Sequence, residues 1–223
     1  MVTRPITTTD KLRAQSLNRT GLEHFERWEM ESAITLFQEA TRLDDTEPDY
    51  HLNLARALVR LGDYETMMKS LGDYIRTETD ERLVSRFEAL FSNALDEVET
   101  RLTAVMPQQG LRLELVGAAI QMWLEYRVTI GKSHLDLSHP EEWAAGLDYT
   151  VRKVNFAEAP TEDIARWYGT TEAAIRSAHA DLIDVLDIMP CDYRYFRGED
   201  NPLDKLVEAA LMLEELERRF QEA

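Results

Sequence analysis

The sequence predicts an all-α fold, and three observations carry that reading. Apolar residues recur at helical rather than alternating spacing in one segment after another. Only nine Gly and seven Pro are present, too few for the tight turns of a sandwich or barrel. The stretch 18–45 also aligns without gaps on 52–79 at an offset of 34 residues, a period that stacked helical hairpins produce.

Residues 1–13 read as an N-terminal tail. Two copies of the repeat follow, 14–47 and 48–81, each with two antiparallel helices: 14–27 with 30–43, then 48–61 with 63–76. At the offset Gly21 meets Ala55, Met30 meets Tyr64, Glu31 meets Glu65, Phe37 meets Leu71 and Arg42 meets Arg76. Small residues (Gly21, Ala33, Ala40, Ala55) let helices approach closely, while Phe37 and Leu71 fill the space between them. Leu61-Gly62-Asp63-Tyr64 is a helix stop followed by a start, with Gly at the C-cap and Asp capping the next helix. Thr46-Glu47-Pro48-Asp49 is a similar start, with Pro tolerated in the first turn. A third copy is absent. Residues 82–105 read as one long helix with Leu83, Phe87, Leu90, Phe91, Leu95, Val98 and Leu102 on a stripe. That helix is expected to close the stack, because two repeats rarely bury their apolar faces unaided.

The run NLARALVRLGDYETMMKSL, with Gly21, Ala33, Phe37 and Ala40 in the first unit, resembles the tetratricopeptide repeat family. Departures are Trp28 where the turn Gly usually sits and Met67 where a small residue is usual. The resemblance implies an α–α superhelix whose concave groove, lined by the first helix of each unit, holds a partner peptide. Carried over by position, the groove residues are Asn18, Leu22 and Phe25, then Asn53, Arg56 and Arg60, with Arg86 on the closing helix. Asn53 falls where members that grip a terminal carboxylate often hold Asn, although the Lys of that clamp are absent. Arg56 and Arg60 lie one turn apart on one face, a basic spot in a chain of net charge −17. They either seat an acidic or C-terminal carboxylate group or pair with acids of an adjacent helix, such as Glu31 or Glu65. In an open groove, Arg56→Ala weakens partner binding and leaves the melting temperature almost unchanged.

Met106-Pro107-Gln108-Gln109-Gly110 has linker composition, placing a boundary at 106–111 and a second helical domain at 112–223. Helical patterns there cover 112–128, 140–155, 161–168, 171–187 and a C-terminal helix at 202–221. Ala165, Gly169 and Ile175 have helix-turn-helix spacing: small at the crossing, flexible at the turn, apolar inside. Together with HPEEWAAGLDYTVRKVN and TEDIARWYGTTEAAIRSAHADLIDVL, this region resembles a cyclin-like repeat of the transcription factor IIB type. One implied function is a transcriptional regulator that binds DNA through 161–187. The other is a packing or protein-contact unit. From Glu158 to Asp187 the acids (Glu158, Glu162, Asp163, Glu172, Asp181, Asp184, Asp187) outnumber the bases Arg166 and Arg176, which argues against nucleic acid.

No phosphate-binding loop, dinucleotide fingerprint or nucleophile elbow is present, so neither a catalytic residue nor a cofactor is expected. His134, Asp136 and His139 form the only local cluster of metal-capable donors and read as polar loop surface, so no metal is expected. Cys191, the single cysteine, reads as a structural thiol. The loop 189–198 carries Tyr193, Tyr195 and Phe196, either a second partner-contact patch or a roof over its own core. The last helix has an apolar stripe (Leu203, Leu206, Val207, Ala210, Leu213, Leu216, Phe220) that buries on the domain or in a homodimer. With no signal-like N-terminus and no apolar run long enough to span a bilayer, the expectation is a cytoplasmic protein without membrane contact. The sequence reading is a non-catalytic adaptor or scaffold whose groove binds a protein or peptide.

Overall fold

Why the helices begin and end where they do is visible at their caps. A computed structural model describes residues 5–157, 159–198, 207, 210–212 and 218, and all regular structure among them is helical. The chain falls into two compact units, Met1–Ala94 with Arg127–His134, and Leu95–Tyr126 with Leu135–Ala223.

In the first unit, α1 (Thr8–Glu26) starts inside the expected 1–13 tail. Thr7 and Asp10 form a capping box: Thr7 Oγ1 accepts from the Asp10 amide and Asp10 Oδ2 accepts from the Thr7 amide, each at 3.1 Å. Next come α2 (Met30–Leu43), α3 (Pro48–Leu61) and α4 (Tyr64–Thr77), close to the expected bounds. Successive helices pack as adjacent antiparallel hairpins. Gly62, at φ +81°, closes α3, and Asp63 caps α4 by accepting from the Thr66 amide at 3.0 Å. Gly21 is a contact residue. A Cβ there would lie 2.6 Å from Phe37 Cε1, so the bare backbone is what lets the fully buried Phe37 ring seat against α1.

The expected single helix over 82–105 is two. α5 (Glu81–Glu88) runs into a 3-10 turn at Ala89–Phe91 and stops, and α6 (Glu97–Gln108) begins anew. Short polar side chains cause the break. Ser92 Oγ accepts from the Ala94 amide at 3.1 Å, and Asp96 and Glu99 form a second capping box. Asp96 is also held by the Trp123 indole N–H at 2.8 Å. The two compact units part at this break, between Ala94 and Leu95. Residues 106–111, expected as a linker, are the last turn of α6, with Pro107 inside the helix, and the Gly110 turn.

The second unit holds α6, most of α7 (Leu113–Thr129), α8 (Pro140–Val154), α9 (Thr161–Tyr168) and α10 (Glu172–Leu186). α8 and α10 meet where a Cβ on Gly146 would lie 2.5 Å from the Ala178 Cβ. Gly169 at φ +72° ends α9, and Thr171 caps α10. Ile164, Ile175, Leu147 and Leu182 are fully buried, and the Trp123, Tyr126 and Trp143 rings pack together at centroid distances of 4.9–5.9 Å. The C-terminal helix expected at 202–221, and with it the homodimer, lies outside the described residues apart from the few positions named above. Among the described residues, no helix is long and apolar enough to cross a membrane.

Candidate functional site

The face made by α1, α3 and α5 carries a ladder of polar side chains. Asn53 on α3 donates from Nδ2 to Asn18 Oδ1 on α1 at 3.0 Å, which turns its carbonyl oxygen toward Arg56. That oxygen accepts from Arg56 Nη1 at 3.1 Å, and Arg56 Nε donates to the Thr129 carbonyl at 2.9 Å. The Arg56 guanidinium lies 5.1 Å from the Phe25 ring centroid. Arg60 lies 4.3 Å from Phe25 and 4.6 Å from Trp28, whose backbone sits at φ +60° in the turn after α1. Burial lowers the pKa of Arg56, yet a guanidinium remains charged at any physiological pH.

What this face holds is the chain's own segment 127–134, the last turn of α7 and the loop after it. The final carbonyls of a helix have no partner within it and carry the negative end of the dipole, so cationic donors suit them. Arg56 takes the Thr129 carbonyl, and Arg86 on α5 takes those of Ser133 (2.6 Å) and Arg127 (3.2 Å). Gly131 then turns at φ +56° beside Leu52 and Arg56. Lys132 Nζ reaches Asp49 Oδ1 at 2.7 Å and Glu78 Oε2 at 2.9 Å. Glu78 is fixed for this role: its Oε2 accepts from the Tyr74 hydroxyl at 3.0 Å, and its Oε1 from the amides of Thr79 and Asp80 at 2.8 and 3.1 Å. Burial alone would raise the Glu78 pKa, but hydrogen bonds from Lys132, the two amides and Tyr74 outweigh it and hold the carboxyl at about 2.

Of the residues expected to line a groove, Asn18, Phe25, Asn53, Arg56 and Arg60 therefore meet in one cluster. Arg86 reaches the same segment, and Leu22 lies half-buried on α1 with no polar partner to make. The acceptors of Arg56 are Thr129 and Asn53, while Glu65 pairs with Lys69 at 2.7 Å. Sequence reasoning missed Asp49, Glu78 and the segment 127–134. Gly131-Lys132 directly after a helix was the available signal.

The aromatic loop divides. Tyr195 is fully buried, its hydroxyl donating to Glu125 at 2.5 Å, and Arg194 beside it pairs with Asp192 at 2.8 Å. Phe196 is half-buried and Tyr193 is 76% exposed, so roofing the core falls to Tyr195 and only Tyr193 points to solvent. Around α9 and α10 the arginines are already paired. Arg152 is buried on Asp148 at 2.6 Å, with Tyr168 donating to the same carboxylate at 3.1 Å. Arg166 pairs with Asp163 at 3.0 Å and Arg176 with Glu172 at 3.0 Å. Among the described residues, no group of three or more His, Cys, Asp or Glu is placed to hold a metal ion. No protein-family model matches the chain, and neither a curated protein nor a solved structure matches it at the significance required.

Proposed function

We propose that this chain is a non-catalytic protein-interaction adaptor of tetratricopeptide-like build, with the α1/α3/α5 face as its peptide-holding surface. The observation that carries the reading is the grip of Arg56 and Arg86 on three main-chain carbonyls of an eight-residue segment. Main-chain recognition by guanidinium donors, backed by an asparagine ladder, is what a surface needs to hold polypeptide largely regardless of side chains. The 34-residue repeat, the Gly21–Phe37 contact and the hairpin packing support the tetratricopeptide-like build. The second unit serves as a further contact or as a cap. DNA binding through 161–187 has less support, because Arg152, Arg166 and Arg176 each already face a carboxylate.

The test is site-specific photo-crosslinking. A benzophenone amino acid replaces Leu22, on the expected groove helix, or Leu12, 64% exposed on the same helix, and the full chain is irradiated in lysate of its source cells. A discrete adduct from position 22, lacking at 12 and competed by unlabelled chain, is expected. Equal smears from both positions would refute the reading.

A further inference from the structure

We infer that residues 127–134 stand in for the partner, and that this face takes in trans a peptide of the same chemistry: a helix C-terminus followed by Gly and Lys. The inference rests on the reading of the α1/α3/α5 face as a peptide-holding surface. It reverses the expectation of an acidic or carboxylate-ended ligand, and the charges decide the sign. Arg56 and Arg86 donate to the Thr129 and Arg127 carbonyls in the last turn of α7, where the helix dipole supplies negative character, and Arg86 donates also to the Ser133 carbonyl in the loop beyond. The subsite that receives Lys132 is acidic. Asp49 and Glu78 converge on one ammonium, and the Glu78 side chain is only 7% exposed and pinned by a hydroxyl and two amides before any lysine arrives. An acidic tail laid along the same path would meet these two carboxylates as like charges. Between the carbonyl seat and the lysine seat the chain turns at Gly131. It is buried at φ +56°, with Arg56 Cδ 3.5 Å and Leu52 Cδ2 3.7 Å from where a Cβ would be, so the backbone conformation selects glycine there.

Because the stand-in is covalently attached, it competes at an effective concentration of order millimolar, and the face is shut to weak ligands until the segment is loosened. Lys132 is the place to loosen it. It is 40% exposed at the side chain, and reversing its charge sets it against Asp49 and Glu78 without touching the arginines.

The experiment follows a fluorescent peptide of residues 124–135, LEYRVTIGKSHL, by anisotropy with the full chain. Lys132→Glu in the protein is expected to tighten peptide binding by about ten-fold or more over the unaltered chain, equivalent to ~1.4 kcal/mol. A peptide with its own lysine changed to glutamate is expected to lose that binding, and an Asp/Glu-ended peptide of equal length to show none. A Lys132→Glu chain that keeps native helicity yet gains no affinity overturns the inference, as does tighter binding of the acidic peptide. Should that variant fail to fold, hydrogen exchange on the unaltered chain decides. Faster exchange of amides 127–134 at saturating peptide supports displacement, and unchanged exchange overturns it. An adduct at position 22 with no affinity for this peptide discards the assigned chemistry and keeps the binding face. Peptide binding without that adduct does the opposite.

Discussion

Replacing Arg56 by alanine separates a free recognition arginine from one already in use. The substitution removes a charge-assisted hydrogen bond to the Thr129 carbonyl, a second to Asn53, and the stack on Phe25. It also leaves that carbonyl without its guanidinium in a residue only 3% exposed. A charge-assisted bond contributes about 1.5–3 kcal/mol, and stranding a buried acceptor costs about 1–3 kcal/mol. The cation–π contact adds about 0.5–2 kcal/mol. These losses share atoms and do not add, so a net of about 2–4 kcal/mol is expected. For a chain of this size each kilocalorie moves the melting temperature by about 2–4 °C, giving a drop of about 4–16 °C. Thermal unfolding followed by far-ultraviolet circular dichroism measures it. Arg13→Ala is the control, since it removes only an exposed pair to Glu39 at 2.8 Å. A melting temperature for Arg56→Ala no lower than that control would refute the assignment, and the open-groove expectation from sequence would stand.

Two further perturbations test other parts of the structure. The Glu78 carboxyl is held at about 2 against an ordinary 4.5, so its contribution is fully present above pH 4.5 and is lost as pH falls toward 2. Glu78→Gln should therefore cost up to about 3 kcal/mol at neutral pH and flatten the acid limb below pH 4.5. Urea unfolding at pH 7, 4.5 and 3 checks this, and parallel pH profiles for the two proteins would count against it. Gly146→Ala places a Cβ 2.5 Å from that of Ala178, so α8 and α10 must part. Overpacking costs about 1–3 kcal/mol, and the helix propensity gained offsets about 1. A net loss of up to about 2 kcal/mol is expected in denaturant titration, recovered when Ala178→Gly is added. Equal loss in the single and double variants would show that the contact is not the cause.

The helices were legible because their determinants are local. Periodicity over α2, α3, α4, α8, α9 and α10, Gly62 and Gly169 at their ends, and Asp63 at the start of α4 all act within a few residues. The Gly21–Phe37 contact was legible for a related reason, since a hairpin of fixed length brings those two positions together. The starts at Thr7 and Asp96 are equally local, as Thr-x-x-Asp and Asp-x-x-Glu capping boxes, but the first lies in what reads as a tail and a continuous apolar stripe outweighs the second over 82–105. The partners of the arginines were a different matter. Arg56 and Arg86 both reach the segment 127–134, yet their acceptors lie 73, 47 and 41 residues away along the chain. A helical stripe says which side of a helix a guanidinium occupies, and it is silent about which distant carbonyl the returning chain will bring to it. Sequence by itself therefore determined most of the helices and which of them carry the arginines. Only the tertiary structure decided that the face is filled by residues 127–134, because a hydrogen bond across 73 residues depends on the path of the whole chain between them.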